Sequence, residues 1–162
     1  MITKIRLLNW KSFKDSTIYI DSLGILIGTN ASGKSNVLDA FAFLHAVGEG
    51  KRLLDAIQTV RGGEDWIIRR GEDFFCIEIE IEIDGSFYLL NLRVVKRNSV
   101  FSFGPCEVRR LGIEDGDVVP DKFIDSARNI TWKTYDVPIL LDFWTKIYAT
   151  FRNIIILDPV PA

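Results

Sequence analysis

Gly28-Thr-Asn-Ala-Ser-Gly-Lys-Ser35 is the stretch on which the reading of this 162-residue chain turns. It fits the spacing G-x-x-x-x-G-K-[ST] at every position. Glycine lets a backbone enter left-handed conformations and bend around an oxyanion with no Cβ in the way. The amides from Ala31 to Asn36 can then point inward as an anion nest at a helix N-terminus, where the macrodipole also favours negative charge. Lys34 has the reach to meet the β- and γ-phosphates of a polyphosphate as a point charge, and the Ser35 hydroxyl is a magnesium ligand of the right kind. The plain alternative is a glycine turn that merely caps a helix. The flanks argue against it, since an apolar strand run precedes the stretch and a helix pattern follows.

Working outward, residues 24–27 (Gly-Ile-Leu-Ile) form a compact apolar run without polar alternation, as expected of a strand buried on both faces. Residues 2–8 and 16–20 are short, β-branched and bounded by turn residues, and predict two further strands. Downstream, Val37, Leu38, Phe41 and Leu44 make an apolar stripe on a helix over 34–47, stopped by Gly48 and Gly50. A second short helix is expected over 51–60. From residue 74, Ile77, Ile79, Ile81 and Ile83 alternate with Glu78, Glu80 and Glu82, which predicts a half-exposed antiparallel strand with a carboxylate row outward. Asp84-Gly85 signals a hairpin into a partner strand over 87–97. Short strands are expected near 100–103 and 106–110, with a turn at Asp115-Gly116, whereas 120–135 carries no clear pattern. A last helix is indicated by Asp136 as cap, Pro138 in the first turn, and a stripe of Leu140, Phe143, Trp144, Ile147 and Phe151. Asn153-Ile-Ile-Ile-Leu157 reads as one more apolar strand.

Composition narrows the class. The chain is 48% hydrophobic and 26% charged, enough for a packed core and too apolar for a disordered chain. Twenty Lys and Arg against 22 Asp and Glu give a net charge of −2, so the whole-chain field does not attract nucleic acid or an anionic membrane. Cys76 and Cys106 show no C-x-x-C spacing, which argues against both a disulfide framework and a thiolate metal site. No apolar run reaches the roughly 18 residues of a membrane span, and the first residues lack a signal core. These features predict a cytoplasmic protein with no membrane partner, and residues 1–162 read as a single domain without repeats.

The flanks of the glycine stretch also carry a resemblance. Leu8-Asn-Trp-Lys-Ser-Phe13, then a short strand, then Leu26-Ile-Gly-Thr-Asn-Ala-Ser-Gly-Lys-Ser-Asn-Val-Leu-Asp-Ala40 resembles the N-terminal lobe of the RecF/SMC/Rad50/OLD-type ABC ATPases over residues 1–47. Trp66-Ile-Ile-Arg-Arg-Gly71 and Asn153-Ile-Ile-Ile-Leu-Asp-Pro159 are similar to AAA-type ATPases of bacterial defence and overcoming-lysogenization systems. Two positions depart from the pattern: Trp10 stands where Phe is usual, and Ala31 where a second glycine often stands. Neither removes a phosphate contact, because the amides remain. The resemblance implies an α/β P-loop NTPase fold, lobe I of an ABC-type head, with a parallel core strand feeding the loop and an antiparallel β-meander beside it. It implies Mg-ATP as ligand, with the triphosphate on Gly28, Asn30, Ala31, Ser32, Gly33, Lys34, Ser35 and Asn36. Lys34 is then the catalytic cation, and Ser35 and Asp158 are the candidate magnesium ligands.

Lys11 has two readings, a cation approaching the nucleotide or a solvated turn lysine. Asp158 follows the only run resembling a Walker B strand, but Pro159 stands where a glutamate is needed, and proline accepts no proton. Asp158 is otherwise the start of a turn or lies near a γ-phosphate-sensing loop. No LSGGQ-like segment occurs. Hydrolysis is therefore expected only in a head completed by a C-terminal lobe, with dimerisation (a homodimer or a partner chain carrying that lobe), and with nucleic acid as a partner only in a larger assembly. The alternatives are a non-hydrolysing, nucleotide-responsive interaction module and an inactive truncated fragment. A small kinase or GTPase fits poorly, for want of an N-K-x-D segment and because of the long antiparallel stretch. Among the remaining residues, His45 is expected at the edge of an apolar face and the glutamate row in solvent. Arg69-Arg70 and Arg109-Arg110 read as surface pairs, and Trp10, Trp66, Trp132 and Trp144 as core or interface anchors.

Overall fold

A computed structural model describes residues 1–21, 28–29, 32–111, 118–124, 130–131 and 137–155. β1 (Ile2–Trp10) and β2 (Phe13–Tyr19) form the first hairpin, and α1 (Lys34–Gly48) follows. Two short helices come next, α2 (Leu53–Gln58) and the single turn α3 (Gly63–Trp66). β3 (Phe74–Ile83), β4 (Ser86–Arg97), β5 (Val100–Phe103), β6 (Pro105–Arg110), β7 (Val118–Ile124) and β8 (Ile130–Thr131) make the meander, and α4 (Val137–Arg152) closes the order. The sheet runs β2-β1-β3-β4-β6-β7-β8, with β5 paired to β4.

Every pairing among the described strands is antiparallel. The expected parallel core strand at 24–27 lies outside the described residues, and the described residues form an α/β arrangement with an antiparallel sheet. The period-two pattern of β3 places Ile77, Ile79 and Ile81 inward at 0% exposure, with Ile77 opposite Leu7, Ile79 opposite Ile5 and Leu90, and Ile81 opposite Ile2 and Tyr88. Two-residue turns join β3 to β4 and β4 to β5. Asp84 and Gly85 have φ of 50° and 74°, Asn98 and Ser99 of 48° and 64°, the positive values such tight hairpins demand.

The glutamate row is not a solvated face. Glu78 accepts from Arg6 at 3.0 Å, Arg6 also pairs with Asp15 at 2.7 Å, and Glu80 accepts from the Thr3 hydroxyl at 2.9 Å with Lys4 3.9 Å away. Because β1 lies between β2 and β3, Arg6 falls between Asp15 on one side and Glu78 on the other, and Lys4 beside Glu80. The alternation along β3 alone does not reveal this.

α1 packs on the sheet through Val37, Ala40, Phe43 and Leu44, while Leu38 and Phe41 are only half-buried. Trp10 is fully buried and stacks edge-on against Phe75, with ring centroids 5.0 Å apart. Trp66 is 64% exposed, so it is not a core anchor. Trp132 lies outside the described residues, as do the Trp144 side chain and the turn at Asp115-Gly116. α4 buries Ile147 and Phe151 against α1. There Gly48 lets the helices touch, since a Cβ on it would stand 2.6 Å from Phe151 Cβ and 2.8 Å from the Arg152 amide nitrogen. Ile154 and Ile155 are irregular rather than strand, with Ile155 82% exposed. Among the described residues no helix is long and apolar enough to cross a membrane.

Candidate functional site

The described residues of the glycine stretch gather at the N-terminus of α1. Gly33 is its N-cap, with φ 94° and ψ 1°. That left-handed conformation is one most side chains avoid, and the space is closed as well: a Cβ on Gly33 would lie 2.7 Å from Phe13 Cζ. The Gly33 carbonyl accepts from the amides of Asn36 at 2.9 Å and Val37 at 3.1 Å, which starts the helix. No described side chain caps this end, and its first turn holds no acidic residue. The amides and the macrodipole are thus offered to an anion.

Lys34 arches over the turn. Its ammonium donates to the carbonyls of Gly28 at 2.5 Å and Thr29 at 2.6 Å, and to the Ser32 hydroxyl at 3.3 Å. The cation therefore stands at the mouth of the loop, beside the amide end of the helix. Ser35 is exposed, so its hydroxyl is accessible to a hydrated cation. Gly28 sits close against Ser32, whose Oγ would be 2.8 Å from a Cβ at that position. Asn30, Ala31 and Asp158 lie outside the described residues. The donor set fits the phosphates of a nucleotide: backbone amides, one lysine and one hydroxyl. Magnesium, which keeps several waters and shares phosphate oxygens, asks little more of the protein than that hydroxyl and a carboxylate.

The turn between β1 and β2 braces this end of α1. The Trp10 indole donates to the Asn36 carbonyl at 2.7 Å, and the Asn36 side-chain amide donates to the Ser12 hydroxyl at 2.7 Å. Lys11, between them, is not a solvated turn lysine. Its side chain is 10% exposed, and its ammonium is paired with Asp39 and donates to the Arg61 carbonyl at 2.8 Å. Asp39 itself escaped sequence reasoning. A lone charged residue on a helix reads as solvent-facing, yet it is 4% exposed. The one signal was its place among apolar neighbours on α1, four residues beyond Ser35.

Two other features lie apart from the loop. An open cleft of about 510 Å³ is lined by Gln58, Val60, Gly62, Gly63, Glu64 and Asp65. His45 is half-buried, with Nε2 3.7 Å from Glu49 and Nδ1 buried without a partner, consistent with the expected edge position.

The chain is similar to known proteins over most of its length. Residues 1–155 match the family described as the AAA ATPase domain. Among curated proteins, the chain is 32% identical over 120 residues to the DNA double-strand break repair Rad50 ATPase of Thermoplasma volcanium, an alignment covering 74% of this chain and 12% of that protein. The equivalent protein of Thermoplasma acidophilum is 28% identical over 142 residues, covering 85% and 14%. That of Sulfolobus acidocaldarius is 33% identical over 95 residues, covering 58% and 10%. The chain thus spans about a seventh or less of the length of these curated relatives. With a match across nearly the whole chain, and the glycine turn at the head of α1 where the spacing puts it, the chain belongs to the AAA ATPase domain family.

Proposed function

We propose that residues 28–36 bind Mg-ATP as a Walker A loop. The triphosphate lies against the amides of Gly28, Asn30, Ala31, Ser32, Gly33, Lys34, Ser35 and Asn36. Lys34 neutralises the β- and γ-phosphates, and Ser35 is the first magnesium ligand, with Asp158 the candidate second. Lys11 belongs to the same assembly, next to the Ser12 hydroxyl that holds Asn36. The observation that carries this reading is Gly33 in left-handed conformation at an α1 N-terminus that no described side chain caps, with the Lys34 ammonium beside it. Bound magnesium would supply charge stabilisation for phosphoryl transfer to water.

Turnover needs more than this chain carries. No Asp-Glu pair ends the apolar run before Pro159, and no signature segment occurs in the 162 residues. We therefore assign hydrolysis to a dimeric head completed by a C-terminal lobe, with residues 1–162 as its front portion. The same two observations favour, for the chain alone, a module that binds ATP and does not turn it over. Calorimetric titration with Mg-ATP tests the site: the chain should bind, and Lys34→Ala should lose at least about tenfold in affinity, the loss of roughly one charge-assisted contact. Unchanged affinity in that variant would reject the loop. Single-turnover hydrolysis by the chain alone would reject the division of labour.

A further inference from the structure

We propose that Asp39 is a positioning residue for the phosphate loop, acting through Lys11 to hold the turn at residues 9–12 against the first turns of α1. The inference rests on the reading of residues 28–36 as a Mg-ATP loop and adds a residue that touches neither phosphate nor metal.

One carboxylate ties three segments together. Asp39 Oδ2 accepts from the Lys11 ammonium, and Oδ1 accepts from Arg61 Nε at 3.2 Å. Lys11 reaches across to the Arg61 carbonyl as well, at 2.8 Å. The β1–β2 turn, the second turn of α1 and the segment after α2 thus meet at a side chain only 5% exposed. The backbone of the turn is pinned as well. The Lys11 amide donates to the Ile67 carbonyl at 3.0 Å, and the Arg69 amide donates to the Asn9 carbonyl at 2.8 Å.

The turn is held in a conformation it would not choose freely. Asn9 and Lys11 both have φ of 50°; asparagine tolerates that region, but a lysine persists there only where its surroundings over-determine it. What this turn presents to α1 is Trp10 and Ser12, each hydrogen-bonded to Asn36. Asn36 closes the phosphate stretch. Asp39 therefore acts on the loop through Lys11, the turn and Asn36, which lies with Asp39 in the first two turns of α1. Stability alone is a poor account of a buried carboxylate, because apolar side chains of similar volume often serve a fold equally well. A fixed charge does what apolar packing cannot: it gives a flexible lysine stem one direction, and so gives the turn one register.

The test uses the whole chain and two probes, Mg-ATP and inorganic tripolyphosphate, titrated calorimetrically beside thermal unfolding. Asp39→Asn keeps the shape and removes the charge. It should weaken both probes by the same factor, about tenfold, because the defect lies in the phosphate cradle. Ile79→Val, in the core of β3, serves as a control that lowers stability without touching the turn; its affinities should stay at the wild-type value. The double variant Lys11→Met/Asp39→Leu replaces the pair by apolar groups. It should regain the unfolding midpoint and keep the weakened affinity. Wild-type affinity in the folded double variant, or in Asp39→Asn, would overturn the proposal while leaving the loop reading intact. Failure of the wild-type chain to bind either probe would reject the loop reading, and this inference with it.

Discussion

Cys76 shows how one side chain's surroundings set its chemistry. Its thiol is 6% exposed on β3 and donates to Asn91 Oδ1 at 3.0 Å. Burial, with a smaller contribution from Glu78, pushes its pKa from an ordinary 9.0 up to about 12. The thiolate is the reactive form, so this group should resist alkylation at neutral pH. In a Cys106→Ser background, a neutral thiol reagent should label the chain only in denaturant; fast labelling of the folded form would contradict the burial. The sign of the pH effect follows from proton counting. Between about pH 9 and pH 12 the folded chain keeps a proton that the unfolded chain has lost. The contribution of this group is whole below pH 9 and fades as pH rises towards 12. Cys76→Ala should flatten that alkaline decline in a series of urea melts.

Hairpins and helices were legible here to different degrees, for physical reasons. The β3–β4 hairpin was plain because a period of two and an Asp-Gly pair are both local signals. Its companion at Asn98-Ser99 carries the same left-handed pair of residues without the glycine. At Ser99, with φ 64°, a Cβ is strained, and Ser99→Gly should relieve about 1–2 kcal/mol of that strain against about 0.5–1 kcal/mol of added unfolded-state entropy. A net gain of about 0.5 kcal/mol in denaturant melts is expected, and destabilisation would show that the serine side chain holds the turn in another way. The start of α1 was equally legible, since glycine, lysine and serine at fixed spacing are themselves the site. The inner face of that helix was less so: Phe43 and Asp39 are buried, while Leu38 and Phe41 stay half-exposed. Which stripe turns inward is decided by the sheet it meets, and the pull on Asp39 comes from Lys11 and Arg61, 28 and 22 residues away in sequence. The same holds for Trp66, whose apolar bulk suggested burial although its segment leaves it outside.

At the scale of the molecule, strand order rather than strand composition governs the charged side of the sheet. β1 runs between β2 and β3, so Arg6 stands between Asp15 and Glu78, and Lys4 faces Glu80. No property of a single strand announces this. Hydrogen bonds from Arg6 hold the Asp15 carboxyl below the usual carboxylate range. That contribution is present above the ordinary value and fades as acid protonates the group. Arg6→Gln should therefore lower the unfolding midpoint at pH 7, less in high salt, and make little difference near pH 2; an equal loss at both would point to packing of the arginine stem instead. The interleaving has a wider effect. Lys4 and Arg6 stand within a few ångströms of Asp15, Glu78 and Glu80, so most of their field cancels a short way into the solvent. A molecule drifting towards this side would feel little long-range pull, and an encounter here would proceed at a nearly unsteered diffusive pace, only weakly dependent on ionic strength.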